Sequence, residues 1–255
     1  MRAESTLILG VILVCLASRV MAIIIVDIDD GGNHLLNDNT YQDDEIRLDY
    51  FTTNDPGTHL ELTDSGSIYN LTTYNKSTAE INGGVVGSSI GVYDRSTLTV
   101  NDGSIHSELG AHDNSTVNIT SGSIRGVLHA GNSSIVEISG GSVGHLNTWN
   151  NSTVTVSGGS IDGLLCVDDN SIIYLYGSDF SVAGQSLNYG DSLRDYGTVG
   201  DSVITGTITG ILQDGSALDK YFTIRKAYSA DIVIVPEPAT LLLLGFGSLL
   251  LRKKR

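Results

Sequence analysis

Asparagine and aspartate side chains recur through the middle of the chain at a spacing that could bring them together. They occupy six positions, each two residues before a serine: Asn75, Asp94, Asp113, Asn132, Asn150 and Asp169. If the chain folds as a repeat, Asp94 and Asp113 stand in consecutive copies. Two carboxylates that close repel each other, so they share a proton or hold a cation between them. Calcium is the hard cation that suits such oxygen ligands.

The same column also has a structural interpretation, which we favour. Stacked amide side chains form hydrogen-bonded ladders, and short polar residues suit tight corners of the backbone. A carboxylate cluster on a β-helix resembles the sites of polysaccharide lyases and hydrolases. However, Lys76 and Arg95 stand in the neighbouring column and could neutralise the acids, and no basic residue accompanies three carboxylates as in those enzymes. We therefore predict no catalytic residue.

A second oxygen-rich segment lies near the start of the chain, where acids alternate with glycines. Asp27, Asp29 and Asp30 are weak candidates for a calcium site in this segment. Their spacing matches neither the EF-hand loop nor the glycine-rich nonapeptide repeat, so a solvated turn is the favoured interpretation. The histidines fall in different columns and predict no metal-ligand set: His34, His59, His106, His112, His129 and His145.

The elements that position these residues follow from a repeat along the chain. Glycines recur in steps of 18 or 19 at Gly66, Gly84, Gly103, Gly122, Gly141, Gly159 and Gly177. Apolar columns keep the same period, for example Ala79, Leu98, Val117, Val136, Val154 and Ile173. Within each repeat the apolar residues alternate with a spacing of two, which is the period of a β-strand.

A repeat of this length with three short strands predicts an all-β fold, a parallel β-solenoid or β-helix, in which one repeat forms one turn, or rung. One rung cannot bury its own apolar side, so the core closes only when rungs stack. We expect about six rungs over residues 64–177, with a right-handed coil. Residues 23–63 are expected to form an N-terminal strand and cap, and residues 178–234 a small antiparallel C-terminal cap.

Residues 1–22 have the order of a secretory signal peptide. A basic residue precedes an apolar run that is too short to span a bilayer, and small residues lead to an expected cleavage after Ala22. Without this segment and the C-terminal one, residues 23–235 keep 8 basic and 27 acidic residues, a formal net charge of −19. Such a charge argues against binding nucleic acid or anionic membranes. Cys166 remains alone, so no internal disulfide is expected.

Residues 235–255 have three parts in order. Pro236, Glu237 and Pro238 come first, an apolar segment at 239–251 follows, and Arg252, Lys253, Lys254 and Arg255 end the chain. Two prolines stop a strand, and the basic cluster stays on the cytoplasmic side of a membrane. A plain tail anchor is the alternative interpretation.

This ending resembles the PEP-CTERM sorting signal of Gram-negative bacteria that produce exopolysaccharide. The resemblance implies that an exosortase cleaves the signal, that the short segment 239–251 crosses the inner membrane transiently as a helix, and that the mature protein reaches the cell surface or the medium. We therefore expect a non-enzymatic surface or extracellular-matrix protein associated with exopolysaccharide or biofilm and without a cofactor. The alternative is a carbohydrate-active enzyme or carbohydrate-binding module of β-helix type.

Overall fold

The computed structural model describes residues 23–51 and 56–236, which form β-strands and one 3₁₀ turn, Leu193–Asp195. The strands are β1 Ile25–Ile28, β2 Asn33–Leu36, β3 Tyr41–Leu48, β4 His59–Leu62, β5 Ser67–Thr73, β6 Thr78–Val86, β7 Ile90–Val92, β8 Thr97–Ile105, β9 Leu109–Ala111, β10 Thr116–Ile119, β11 Ser123–Ala130, β12 Ile135–Thr148, β13 Thr153–Ile161, β14 Leu165–Val167, β15 Ile172–Val182, β16 Gln185–Ser186, β17 Thr198–Val199, β18 Val203–Leu212, β19 Ala217–Arg225 and β20 Asp231–Val235. No helix in this described part is long and apolar enough to cross a membrane.

The strands stack in parallel, which confirms the β-solenoid. One face, the first face, stacks β2, β4, β6, β8, β10, β12, β13, β15 and β20 in that order. The second face stacks β1, β3, β5, β7, β9, β11, β12, β14 and β19. Each strand therefore hydrogen-bonds to the equivalent strand of the next rung.

The core is a set of continuous apolar rows along the solenoid axis. On the first face, Ala79 pairs with Leu98 and Leu98 pairs with Val117, in the register that the repeat predicts. A similar row on the second face aligns Ile90 with Leu109. All of these side chains are buried. The strand period of two places every second residue in this core and the intervening residue on the outer surface.

The solenoid is longer than six rungs: it has about eight turns, because the parallel stack extends into the N-terminal segment. There, β1 pairs with β3 and β2 pairs with β4. The sequence repeat does not show these rungs because the spacing changes. Glu45 aligns with Asn70 and Tyr41 with Ile68, so both separations along the chain exceed the period of the repeat. The extra residues fall between β3 and β4 in the chain, so the glycine and serine columns do not continue.

The C-terminal end combines antiparallel and parallel pairing. β18 lies antiparallel to both β15 and β19, as expected for an antiparallel cap. However, β19 also continues the second face beside β14, and β20 continues the first face beside β15. The last strand of the described chain is therefore part of the parallel stack, and Pro236 follows it directly.

The corners between the faces use backbone conformations with positive φ. The six asparagines and aspartates of the repeat have φ values of 54 to 59°. This left-handed region favours short polar residues whose side chains bond locally. Gly103 has φ 93°, and a Cβ there would lie 2.7 Å from the carbonyl oxygen of Gly83 in the preceding rung. Close contact between rungs therefore requires glycine at this corner.

Candidate functional site

The polar corner column forms a structural ladder. Asn132 donates from Nδ2 to Oδ1 of Asp113 at 2.8 Å, and Asn150 donates from Nδ2 to Oδ1 of Asn132 at 2.8 Å. Asp94 instead accepts from the backbone N–H of Asn75, at 3.0 Å. The carboxylates of Asp94 and Asp113 thus bond toward opposite neighbours. This arrangement agrees with the ladder interpretation, and it gives no shared site between the two acids.

Two of the three calcium candidates engage separate partners, whereas Oδ1 of Asp27 is buried and has no hydrogen-bond partner among the described residues. Asp29 accepts the backbone N–H groups of Tyr50 and Phe51, and burial raises the pKa of its carboxyl. Asp30 accepts from Gly32 and contacts the His34 imidazole at 2.9 Å, and this imidazole hydrogen bond holds its pKa below the usual range. Within the described part of the chain, no group of three or more acidic, histidine or cysteine side chains could hold a metal ion.

Most of the predicted processing residues lie outside the described residues. These are Ala22 at the signal cleavage site, Glu237 and Pro238, the segment 239–251 and the basic tail Arg252, Lys253, Lys254 and Arg255. Pro236 is described and stands immediately after β20.

The structure reveals a column of rings that the sequence analysis did not identify. Tyr74 and Tyr93 stack with centroids 5.2 Å apart and planes 13° apart, and Tyr93 stacks on His112 at 4.9 Å and 17°. Each ring stands one residue before the asparagine or aspartate of its corner. We call these side chains, together with Trp149 and Tyr50, the aromatic ladder. Tyr50 begins it with an edge contact to Tyr74 at 5.0 Å.

One rung has no ring at the position of the ladder. The equivalent position there is Gly131, and a Cβ at this glycine would lie 2.6 Å from the indole of Trp149. Trp149 therefore leans back over Gly131, reaches His112 at 6.1 Å and meets His129 edge-on at 5.2 Å. One indole thus fills the space of two rungs and keeps the ladder continuous.

A groove lies beside the ladder on the outer surface of the second face. The outward row there reads Thr72, Gly91, Gly110 and His129 in consecutive rungs. The two glycines carry no side chain, so the row has a gap two rungs long, about 10 Å at the strand spacing of a sheet. Thr72 and His129 close the two ends of this gap.

Two rings of the ladder cover this gap. The Tyr93 ring lies over the outer side of Gly91, and the His112 ring lies over Gly110, at 2.7 and 2.6 Å from where a Cβ would stand. Both glycines are therefore required for this packing. The groove has a volume of about 300 Å³ and is lined by Glu45, Asn70, Leu71, Thr72, Ser88, Ser89, Ile90, Gly91, Tyr93, Glu108, Gly110, His112 and His129. This volume is at the lower end of the range for small-ligand sites.

The ionisable groups of the groove have distinct environments. Glu45 accepts from Nε of Arg47 at 2.7 Å, so its charge is paired. Glu108 is more than half exposed and faces Nε2 of His129 at 3.8 Å. Burial lowers the pKa of His112, which therefore stays neutral at pH 7. Nδ1 of His129 is buried and has no hydrogen-bond partner among the described residues.

Chemically, the groove combines ring surface with hydrogen-bonding groups. Hydroxyl, amide and carboxylate groups lie along the borders, and Tyr93 and His112 supply apolar surface. Sites for small organic ligands are usually lined mostly by apolar side chains with a few polar groups, whereas this open groove is mostly polar. The sequence signal for the groove was present: residues 74, 93, 112, 131 and 149 keep the period of the repeat one position before the polar column. The glycine gap could not be identified, because a glycine on a strand also has purely structural explanations.

Comparison with known proteins gives one match. The PEP-CTERM protein-sorting motif matches residues 235–255, the same segment that resembled this signal in the sequence. The match begins at Val235, which is also the last residue of β20. No curated protein and no solved structure matches the chain.

Proposed function

We propose that this exported, exosortase-processed chain, which carries the PEP-CTERM sorting motif at its C-terminus, is a non-enzymatic component of the cell surface or extracellular matrix that binds exopolysaccharide. The observation that carries the proposal is the groove between the aromatic ladder and the polar border on the outer surface of the solenoid. The sorting motif supports the export, and the groove supports the binding.

The groove suits a sugar for physical reasons. A pyranose ring has an apolar side made of C–H groups, and aromatic rings make favourable contacts with such groups. Tyr93 and His112 offer the outer edges of their rings, because the two faces of Tyr93 are stacked against Tyr74 and His112. Ser88, Ser89 and Asn70 provide side chains that hydrogen-bond hydroxyl groups. Binding energy therefore comes from ring contact, and orientation comes from the polar border.

The absence of catalysis is part of the proposal. Glycosidases use two carboxylates that flank the scissile bond, one as acid and one as base or nucleophile. In the groove, Glu45 is held by Arg47, while Glu108 is an exposed carboxylate. Asp94 and Asp113 bond within the corner ladder instead of lining the groove. These contacts support a binding role and favour the carbohydrate-binding form of the alternative over its enzymatic form.

Binding is tested with two ladder variants. Tyr93→Ala removes a ring that lines the groove, whereas Tyr74→Ala removes a ring of the same ladder outside the groove lining. Exopolysaccharide from the producing bacterium is immobilised, and retention of the mature protein is measured. We expect Tyr93→Ala to lower retention about tenfold, which corresponds to the loss of about 1.4 kcal/mol of contact with the ring. Tyr74→Ala should retain binding. Equal loss in both variants would contradict the proposal.

Catalysis is tested by incubating the mature protein with uronate polysaccharides, with and without calcium. We expect no unsaturated product and no new reducing ends. Release of either product would establish the enzymatic alternative.

Processing is tested by changing Pro236, Glu237 and Pro238 together to alanine. We expect uncleaved protein to accumulate in the inner membrane, because the exosortase no longer recognises the motif. Unchanged processing would contradict the assignment of residues 235–255 as the sorting motif. A matched control changes three exposed residues of the solenoid surface, Asp102, Glu137 and Asp162, to alanine and should leave processing intact.

A further inference from the structure

The charge of the groove favours some classes of polysaccharide over others. The lining contains two carboxylates, Glu45 and Glu108, and neither lysine nor arginine. Arg47 stands outside the lining and neutralises Glu45. The carboxylate of Glu108 is 54% exposed, and Nε2 of the His129 imidazole lies 3.8 Å from it. Glu108 is therefore the negative group at which a bound ligand can add a positive partner.

The charge of the whole molecule acts in the same direction. The part of the chain between the two processing signals has a formal net charge of −19. A polyuronate would approach against this potential, whereas a polycation would be attracted by it. A positively charged glycan needs no metal ion between itself and the carboxylates of the protein.

We infer that the groove binds a glycan that carries free amino groups, a de-N-acetylated hexosamine chain, with the ammonium group at Glu108 and the sugar ring against Tyr93 and His112. This inference rests on the proposed function, which requires only that the groove bind polysaccharide. An ammonium donating to a carboxylate is a charge-assisted hydrogen bond, which is stronger than a neutral one. The sugar ring would lie in the groove beside these rings, since the rings themselves cover Gly91 and Gly110.

The test compares four β-1,4-linked or α-1,4-linked tetrasaccharides by calorimetry with the mature protein: tetramers of glucosamine, N-acetylglucosamine, glucose and galacturonate. We expect the glucosamine tetramer to bind about 3- to 10-fold more tightly than its N-acetylated counterpart, as one charge-assisted hydrogen bond provides. Galacturonate should bind most weakly. The preference for glucosamine should fall as salt is added, because the Debye length shortens.

A pair of variants distinguishes the effect of the groove on binding from the effect of the overall negative charge. Glu108→Gln removes the charge in the groove, and Glu137→Gln removes an equal charge from the exposed surface of the first face. We expect Glu108→Gln to abolish the preference for glucosamine and Glu137→Gln to keep it. Equal effects of the two variants would show unspecific attraction and overturn the inference.

The two proposals fail differently. If the glucosamine and N-acetylglucosamine tetramers bind equally, and Tyr93→Ala weakens both, the inference about amino groups is wrong and the polysaccharide site stands. Tighter binding of galacturonate also overturns the inference alone. If the exopolysaccharide and all four tetramers fail to bind, both proposals are wrong.

Discussion

Asn132 illustrates how single residues determine the corners of the solenoid. It combines a φ of 57° with two hydrogen bonds in the corner ladder. Glycine tolerates this backbone conformation, whereas alanine in it costs about 1 kcal/mol. We therefore expect Asn132→Ala to be about 1 kcal/mol less stable than Asn132→Gly, and both to be less stable than the wild type. Urea unfolding of the mature protein measures this difference.

A control variant tests whether backbone conformation is the cause. Asn118 has the same side chain on strand β10, where its φ is not positive. Asn118→Ala should be at least as stable as Asn118→Gly, the reverse of the order at Asn132. The same order at both sites would contradict the explanation.

The titration of His112 in the aromatic ladder should make the stability of the protein depend on pH. Burial lowers its pKa below the ordinary value of about 6.5, so the unfolded chain binds a proton more readily than the folded chain. Stability should therefore decrease as the pH falls through about 6.5, and the loss should continue down to the lowered pKa of the folded state. His112→Phe keeps a ring in the ladder and cannot be protonated.

The measurement is the urea midpoint at about pH 7.5 and about pH 5, on either side of the ordinary pKa. The wild type should lose more stability between the two than His112→Phe does. His106→Phe, at an exposed histidine, is the control and should behave like the wild type. If His112→Phe loses as much stability between the two pH values as the wild type does, groups other than His112 cause the loss.

At the scale of the structural elements, the packing of the aromatic ladder can be followed by the fluorescence of one of its residues. Trp149 is the single tryptophan of the chain, and its indole occupies the space above Gly131. Gly131→Ala places a Cβ 2.6 Å from the indole, so Trp149 must move outward. We expect its fluorescence emission to shift to longer wavelength and the ladder contact with His129 to weaken. Gly87→Ala is the control, since its Cβ would meet nothing closer than 3.6 Å. Unchanged emission in Gly131→Ala would contradict the packing described.

The elements also show what the sequence could predict. Strand register between rungs followed from the apolar columns, because a strand that slips by one residue would turn its apolar side outward. The rungs at 25–48 could not be recognised, since the extra residues between β3 and β4 change the spacing. The groove could not be predicted either, because it depends on how Tyr93 and His112 fold back over Gly91 and Gly110. That packing involves side-chain conformations that residue spacing does not specify.

At the scale of the whole molecule, stability should vary along the solenoid axis. In a stack of repeats, each rung is stabilised by its neighbours. β1 and β2 each pair with one other strand, whereas β8 to β13 lie between neighbours on both sides. We expect backbone hydrogen exchange to be faster in β1 and β2 than in the middle rungs. Exchange that is equally slow along the whole stack would show instead that the chain unfolds as one cooperative unit.

The position of β20 relates the folding of the last rung to the export of the sorting motif. Val235 belongs both to the last strand of the stack and to the sorting motif. A chain that emerges from the cell N-terminus first can wind its early rungs while its C-terminus is still inside. The last rung closes only after Asp231–Val235 has emerged, and the motif follows without a spacer. If export proceeds in this order, we expect the rod to be completed and the motif to be presented to the exosortase in immediate succession.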